Sequence, residues 1–504
     1  MRRNKRIAVL RTPYSARFLF SMNDLTGKEL KRSLGLLDST FMVAGSMIGS
    51  GIFIVTVFMA RDIGSSGYIL LLWLLTGFIT LSAALSYGEL AGMMPNAGGQ
   101  YVYLQRAFGP VIAFLYGWTV FTVIQTGVIA AVAVAFSKYA AVFFPLLGDA
   151  AIIFSDAFQI SYAQLLAIAS IVLLTLVNLR GVQSGKTVQF VFTSAKLMAL
   201  FALIVLGFIV ALKTNFISEN FSNMWNASST TSKNGVLITT PLAGIALLGA
   251  LGATLINPLF SSDAWNNVTF IAGEIKQPER NIPRSLFLGT LIVTILYILA
   301  NVSYLVLLPL KGDPNGTDAI SQGIQFASND RVGSAAASMI FGDSALLIMA
   351  GLIMVSTFGC NNGLILSGSR LLYAMSKDKL FFSKAGTLNK NSVPGYALIF
   401  QCVWASALCL SGKYSDLLTY STFASLLFYI LTIAGLFILR KKEPNTTRPY
   451  KAFGYPVIPA LYIIITLAIC IDLVIYDARN TGLGLALVAS GIPIYYFVVR
   501  KKTE

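Results

Sequence analysis

The chain has 504 residues, of which 56% are hydrophobic and only 12% are charged. A soluble globular protein carries about 25% charged residues, so the composition excludes an ordinary soluble protein and favours one that lies in a membrane. The formal net charge is +16, and the chain contains no histidine. Histidine is the usual metal ligand and the base of Ser-His-Asp hydrolases, so we predict no metal site, no cofactor and no enzymatic activity.

Apolar runs of roughly 20 or more residues recur along the chain, and a helix needs that length to cross a bilayer. The runs lack two-residue alternation, so helices rather than a β-barrel are predicted. We therefore predict an all-α integral membrane protein with twelve transmembrane helices. The predicted spans are residues 36–60, 68–93, 108–143, 161–179, 187–212, 242–275, 283–308, 336–375, 394–411, 415–439, 456–476 and 479–499.

The distribution of lysine and arginine predicts that both chain ends are cytoplasmic. In that orientation, 26 of the 37 basic residues fall in cytoplasmic segments and 6 in external loops, while the other five, Lys138, Lys196, Arg284, Arg370 and Arg479, lie inside spans. Cytoplasmic loops of membrane proteins carry such an excess of positive charge. This topology accounts for the net charge, so nucleic-acid binding is not predicted. The polar N-terminus also lacks the features of a cleaved signal peptide.

The first span contains glycines that allow two interpretations. Gly45 and Gly49 have the spacing that lets helices pack closely. Gly49 and Gly51 also flank Ser50 near the middle of the span, where each glycine weakens the helix. Taken alone, the glycines fit helix packing at least as well as they fit an unwound binding site.

The sixth span favours the second interpretation, because it contains Pro258 within a polar stretch that ends at Asp263. Proline cannot sit inside a helix without the loss of a hydrogen bond. Spans one and six each begin a five-span half of the chain, and matched interruptions of this kind point to a transporter site built from inverted repeats. Free N–H groups suit a carboxylate and free carbonyls suit an ammonium, so we expect the site to bind an amino acid.

Four stretches of sequence resemble one transporter family. They are residues 45–53 (GSMIGSGIF), 87–103 (YGELAGMMPNAGGQYVY), 272–283 (AGEIKQPERNIP) and 356–363 (STFGCNNG). In order and spacing they resemble the amino acid–polyamine–organocation superfamily, and within it the L-type amino acid transporter group. The likeness covers about residues 36–440 and favours a bacterial-like member.

The resemblance implies a LeuT-type fold with two inverted repeats of five spans. The repeats would cover residues 36–212 and 242–439, followed by two extra spans at 456–499. A cytoplasmic arm at residues 1–35 and a cytoplasmic tail at 500–504 would complete the chain.

The resemblance also implies where an amino acid would bind. Its carboxylate would meet the N–H groups of Ser50 and Gly51 and the Ser50 hydroxyl, and its ammonium would meet the carbonyls of Met47, Phe260 and Asp263. The aromatic ring of Phe260 would close over the substrate as a gate. The predicted substrate-binding residues are Met47, Ile48, Gly49, Ser50, Gly51, Phe260, Ser261, Ser262, Asp263, Trp265 and Asn266.

Lys196 is a charged residue inside the fifth span, where a charge is costly and usually functional. It could instead extend its ammonium to the membrane surface. The resemblance implies that this ammonium takes the place of a sodium ion and contacts the unwound first span and span eight. Transport would then be independent of sodium, either by exchange or, if Lys196 loses its proton, by proton coupling.

Other acidic residues have two interpretations each. Asp263 either caps the second half of the broken sixth helix or recognises a substrate side chain. Glu89 and Glu274, with Arg106 and Arg280, either form salt bridges of an inner gate or are solvated at the ends of their spans.

Together these features predict a sodium-independent L-amino acid transporter that works by alternating access and is an exchanger. The alternatives are a proton-coupled uptake symporter and a membrane protein that senses amino acids without transport. The resemblance implies that members paired with a disulfide-linked heavy-chain subunit use a cysteine between spans three and four. Residues 144–160 contain no cysteine, so no such subunit is expected. We predict a multi-pass monomer in the cell (inner) membrane, whose partners are a small amino acid and the lipid bilayer.

Overall fold

The protein is helical along most of its length. A computed structural model describes residues 30–147, 151–155, 158–233, 236–410, 414–476 and 478–499. Most of the predicted arm and all of the predicted tail at 500–504 therefore lie outside the described residues.

The described residues of the first half form nine α-helices, two of which form the interrupted first span. They are α1 (Leu36–Met47), α2 (Val55–Ile63), α3 (Ser66–Met93), α4 (Gln100–Phe108), α5 (Pro110–Thr119), α6 (Gln125–Phe143), α7 (Tyr162–Leu179), α8 (Val182–Ala211) and α9 (Phe216–Phe221). A π-helical turn at Val120–Ile124 joins α5 to α6, so these two form a single span. Local sequence sets several starts: the Ser65 hydroxyl accepts from the backbone of Tyr68 at the start of α3, and Pro110 occupies the first turn of α5.

In the second half, the part of the chain that the structure describes contains eleven α-helices. They are α10 (Gly244–Thr254), α11 (Ile256–Ser261), α12 (Asn267–Phe270), α13 (Pro278–Leu307), α14 (Ala319–Gln322), α15 (Val332–Phe341), α16 (Ala345–Lys377), α17 (Gly395–Leu410), α18 (Tyr414–Lys442), α19 (Val457–Tyr476) and α20 (Ala478–Ile494). Two antiparallel hairpins lie in connecting segments, formed by β1 (Ala151–Ser155) with β2 (Phe158–Ser161) and by β3 (Ser228–Lys233) with β4 (Val236–Pro241).

The helices have the lengths that a membrane protein requires. Among the described residues, nine helical stretches are long and apolar enough to cross a bilayer, and Gly395–Leu410 and Thr481–Phe497 are shorter apolar helices. All of them lie at positions of predicted spans, which agrees with an all-α membrane protein. The first predicted span is absent from the nine because its helix is interrupted. The number of crossings and the inverted repeat stay predictions.

The broken helices lie inside the bundle. Helix α1 packs against α8, α13 and α16, and α12 packs against α16 and α1. The approach to α8 is so close that a Cβ on Gly45 would lie 2.0 Å from Nε2 of Gln189. The packing interpretation is therefore correct for Gly45. The absence of a side chain there lets α8 approach α1 closely enough to contact the carbonyl groups of α1.

Candidate substrate site at two broken helices

The first break begins directly after α1. The helix ends at Met47, a short 3-10 turn follows at Gly51–Phe53, and α2 begins at Val55. Among the described residues, the N–H groups of Ser50 and Gly51 have no backbone acceptor. A helix start offers such N–H groups to an anion, so the unwound segment predicted around Ser50 is present and has donors to offer.

The second break overlaps the end of the stretch predicted between Pro258 and Asp263. Pro258 sits inside the short helix α11, and the backbone unwinds only between Ser261 and Asn267, where Ala264 has a positive φ of 64°. The interruption predicted between Pro258 and Asp263 is therefore present, but it lies at the end of that stretch and beyond it, and not at the proline itself. In a regular helix the N–H of residue 258 would donate to the carbonyl of Thr254, but proline has no N–H. The Thr254 carbonyl accepts instead from the side-chain amide of Asn257 at 3.2 Å. This bond allows the helix to continue past the proline.

A cavity lies between the two breaks, and we call it the central cavity. From the first break it is lined by Ser46, Met47, Gly49, Ser50 and Gly51. From the second break and α12 it is lined by Phe260, Ser261, Asp263, Ala264, Asn266, Asn267 and Phe270. The π-helical turn and α6 supply an apolar wall with Val120, Ile124, Val128 and Val132, while α4, α5, α16 and α18 complete the lining.

Several polar groups at the central cavity have no partner among the described residues. They are the hydroxyls of Ser46 and Ser261 and the amide nitrogen of Asn267, and all three side chains are more than nine-tenths buried. Buried polar groups are normally hydrogen-bonded. Unpaired donors and acceptors around one cavity therefore suit a small polar occupant.

Lys196 of α8 reaches the first break rather than the membrane surface. Its ammonium donates to the carbonyls of Gly45 and Ile48 at 2.6 Å each, and it lies 3.3 Å from the carbonyl of Ser356 in α16. The side chain is only 3% exposed, so the snorkelling alternative is wrong. The lysine connects α8 with the first break through the carbonyls of Gly45 and Ile48, which lie where α1 is interrupted. Through the carbonyl of Ser356 it also connects α8 with α16.

Tyr297 of α13 joins the two breaks and was not among the predicted site residues. Its hydroxyl lies 3.2 Å from the carbonyl of Met47 and 3.2 Å from that of Ser261. Gly51 also faces Ser261, because a Cβ at Gly51 would lie 2.4 Å from the Ser261 hydroxyl. The two interrupted segments therefore contact each other directly at one end of the central cavity.

A hydrogen-bonded network forms the opposite polar wall. The carbonyl oxygen of the Gln100 side chain accepts from the hydroxyl of Tyr116 and the amide of Asn266, at 2.9 Å each. The Gln100 amide donates to Thr432 at 3.0 Å. Gln100 is fully buried at the start of α4. Sequence reasoning assigned its motif to a cytoplasmic loop and therefore missed it.

Three predicted site residues do not line the central cavity. Ile48 is fully buried, and its carbonyl accepts from Lys196 and from the Ser356 hydroxyl. Ser262 and Trp265 line a neighbouring cavity, and Trp265 packs against the rings of Tyr87 and Tyr429.

Asp263 does not cap the second half of the broken helix. Helix α12 begins at Asn267 after Asn266, whereas the carboxylate of Asp263 accepts from the hydroxyl of Tyr429 in α18 at 2.5 Å. The capping interpretation is therefore wrong, and the carboxylate borders the central cavity.

Comparison of the whole sequence with known proteins identifies the family. A family model described as amino acid permease matches residues 34–498, which is nearly the whole chain. The chain belongs to the amino acid permease family. This membership and the relatives below confirm the resemblance to L-type transporters of the amino acid–polyamine–organocation superfamily.

Curated mammalian transporters are similar to this family member over most of their length. The human large neutral amino acids transporter small subunit 2 is 30% identical over 479 residues, which cover 94% of this chain and 81% of the relative. Its rat counterpart is 31% identical over 483 residues, with 94% and 82% covered. The mouse b(0,+)-type amino acid transporter 1 is 28% identical over 486 residues, with 95% and 90% covered.

In this family member, the predicted gate residue Glu274 forms a buried ion pair. Its carboxylate accepts from Arg370 of α16 at 2.8 Å, and the two side chains are 1% and 0% exposed. The backbone carbonyl of Glu274 accepts from Ser33 and Leu34, and Lys276 donates back to Leu34. The chain before α1 is thus paired with the chain after the second break.

The other predicted gate residues of this family member differ in their contacts. Glu89 is fully buried and accepts from Arg440 and Arg448 and from the backbone of Ala452. Arg106 forms a bidentate ion pair with Glu443, with N···O distances of 2.8 and 2.5 Å. Arg280 is exposed and makes no ion pair with a described residue, which fits the solvated alternative. Phe260 lines the central cavity, where its predicted gating role would operate.

Proposed function

We propose that the protein is a sodium-independent L-amino acid transporter that works by alternating access and exchanges substrates across the membrane. The observation that carries this proposal is the ammonium of Lys196 among the carbonyls of Gly45, Ile48 and Ser356. A fixed cation already occupies the oxygen atoms that a metal cation would need. A second positive charge there would be repelled strongly at such short range in a buried site.

The substrate would bind across the two breaks. Its carboxylate would accept from the unpaired N–H groups of Ser50 and Gly51, and its ammonium would donate to the carbonyls of Met47, Phe260 and Asp263. This proposal is supported by the free donors at the first break and by the position of all five residues along the central cavity. A zwitterion satisfies both sets at once, whereas an inorganic ion satisfies only one.

Exchange follows if Lys196 keeps its proton throughout the cycle. The transporter would then carry the same positive charge at Lys196 in every state, and bound substrate would be the only species that drives it from one side of the membrane to the other.

A second function, proton-coupled uptake, is favoured by one observation: among the described residues, the ammonium of Lys196 has carbonyl partners but no carboxylate. An ammonium held only by neutral groups can release its proton more easily than one in an ion pair.

Counterflow in proteoliposomes tests the proposal. We expect uptake of a labelled amino acid to require unlabelled amino acid inside and to be unchanged when choline replaces sodium. A strict sodium requirement would refute sodium independence. Uptake into empty vesicles that is driven by a pH gradient would instead establish the proton-coupled alternative.

The same proposal includes the setting in which the protein works. We propose a multi-pass protein of the cell (inner) membrane that acts as a monomer without a disulfide-linked subunit. The absence of cysteine from residues 144–160 supports the last point. Non-reducing electrophoresis and mass measurement of the purified full chain would test it, because a covalent partner would appear as a species that reduction removes.

A further inference from the structure

Five exposed basic residues are grouped around the start of α13, and we call them the basic patch. They are Lys31, Arg32, Lys276, Arg280 and Arg284. Lys31 and Arg32 precede α1, Lys276 precedes α13, and the two arginines lie in the first two turns of α13. All five lie on the side of the membrane that the distribution of charge predicts to be cytoplasmic.

Backbone hydrogen bonds bring the two parts of the basic patch together. The N–H of Ser33 donates to the carbonyl of Glu274 at 2.8 Å. The N–H of Lys276 donates in return to the carbonyl of Leu34, also at 2.8 Å. Because Arg32 directly precedes Ser33, it is held beside the chain that leads into α13.

The charge of the basic patch is not balanced by the described part of the protein. Among the described residues, none of its five side chains forms an ion pair. Within residues 31–38 and 274–284, Asp38 pairs with Lys186 and Glu274 pairs with Arg370. Glu279 is the third acidic residue of these segments. Five cations beside one unpaired carboxylate give a positive surface that attracts anions.

The basic patch continues directly into a lipid-facing surface of α13. Residues three or four apart share one face of a helix, and the exposed apolar residues of α13 follow Arg280 and Arg284 at that spacing. They are Leu288, Ile292, Ile295 and Leu299, with Phe287 beside them. Other faces of the helix pack against α1, α3 and α8. One face of α13 therefore changes from cationic to apolar within a single turn.

This arrangement matches the two parts of a phospholipid. The apolar stretch from Leu288 to Leu299 is about 16 Å long at a helical rise of ~1.5 Å per residue. That length is close to half of the ~30 Å hydrocarbon core, so an acyl chain of one leaflet fits along it. The phosphate of such a lipid would meet Arg280 and Arg284, since guanidinium groups bind phosphate through two parallel hydrogen bonds.

We propose that the basic patch binds the headgroup of an anionic phospholipid in the cytoplasmic leaflet, with the acyl chains along α13. Basic clusters next to a transmembrane helix attract anionic lipids, and each lysine or arginine adds to the attraction. A headgroup that contacts Arg32 on one segment and Lys276 on the other would hold the paired segments together. This inference does not depend on which solute the protein transports.

Native mass spectrometry of the purified full chain tests the proposal with dioleoyl phosphatidylglycerol and dioleoyl phosphatidylcholine. The two lipids have the same acyl chains, and only phosphatidylglycerol has a net negative charge. We expect the wild type to bind phosphatidylglycerol at least about fivefold more tightly, which corresponds to one favourable charge contact. Equal affinities for the two lipids would overturn the proposal.

The double variant Arg280→Gln with Arg284→Gln should lose most of that preference and keep the wild-type affinity for phosphatidylcholine. Lys379→Gln with Lys384→Gln is the matched control, because it removes two exposed positive charges on the same predicted side, between α16 and α17. We expect the control to keep the preference. If the first variant kept it too, or if both variants lost it equally, the patch would not be a specific site and the proposal would be wrong.

A second variant and a second anion complete the test. Lys31→Gln with Arg32→Gln changes the basic patch without altering α13, so it takes the place of the first variant if that one does not fold. Inorganic phosphate distinguishes a lipid site from a site for a free anion. We expect sodium phosphate to displace no more phosphatidylglycerol than sodium chloride of equal ionic strength. Greater displacement by phosphate would show a free-anion site and overturn the proposal.

Discussion

The ammonium of Lys196 lies 2.6 Å from the carbonyl oxygen of Ile48, across the gap between α8 and the first break. Ser356 of α16 contacts the same part of the first break, since its hydroxyl lies 3.2 Å from the Ile48 carbonyl and 3.0 Å from the Gly49 carbonyl. The unwound segment is thereby held from two helices. The shape of the unwound segment therefore depends on side chains outside the central cavity, such as Lys196, as well as on those that line it.

Replacement of Lys196 by alanine should abolish most transport. The change leaves the carbonyls of Gly45 and Ile48 buried without partners, at a cost of about 1–3 kcal/mol for each group. We expect uptake to fall at least about tenfold, with normal membrane insertion by fluorescence-detected size-exclusion chromatography. Lys213→Ala is the control, because Lys213 is an exposed lysine just after the same helix. Substantial uptake by Lys196→Ala would contradict this role.

Removal of the Tyr297 hydroxyl should weaken substrate binding. Tyr297→Phe deletes the contact with the carbonyls of Met47 and Ser261, and one hydrogen bond contributes about 0.5–1.5 kcal/mol. We expect an increase in substrate Kd of about three- to tenfold by scintillation proximity assay. Tyr304→Phe on the same helix is the control, because the Tyr304 hydroxyl is buried without a partner among the described residues. Equal effects of the two variants would refute the bridging role.

The two glycines of the first break should respond differently to alanine. A Cβ at Gly51 would overlap the Ser261 hydroxyl, whereas a Cβ at Gly49 would lie 3.7 Å from the nearest atom, the Cys360 sulfur. Overpacking costs about 1–3 kcal/mol, so we expect Gly51→Ala to lower uptake about tenfold and Gly49→Ala to lower it much less. Uptake at equal expression measures the difference, and a larger loss in Gly49→Ala would reverse the assignment.

The buried pair of Glu274 and Arg370 should matter for stability as well as for gating. Removal of one partner leaves the other charge buried, which costs about 3–5 kcal/mol in typical proteins. We expect Arg370→Met to lower the Tm in detergent strongly. The double variant Glu274→Leu and Arg370→Met should recover part of that loss, since no charge stays unpaired. If the double variant were less stable than Arg370→Met, the pair would not be the source of the effect.

The sequence predicted the main helices and both interruptions because hydrophobic length and glycine or proline content act locally. It did not show that the helix continues past Pro258, because the effect of the proline depends on Asn257, whose side chain pairs the carbonyl that the proline leaves free. Tyr297 could not be found in this way, since a tyrosine in an apolar span has the same appearance whether it packs or bridges. The sequence could not show that Trp265 lines a neighbouring cavity and not the central cavity, because the direction of a side chain in unwound backbone has no periodicity to reveal it.

The backbone pairing of Leu34 with the segment at Ile275 has a consequence for the transport cycle. It connects the start of one broken helix with the end of the other, so in the proposed alternating-access cycle an opening toward the predicted cytoplasmic side would either carry both segments together or separate them. The amide of Lys276, which donates to Leu34 at 2.8 Å, would exchange with solvent deuterium only in the second case. Hydrogen exchange at this one amide would therefore distinguish motion of the two half-helices as a unit from motion of one past the other.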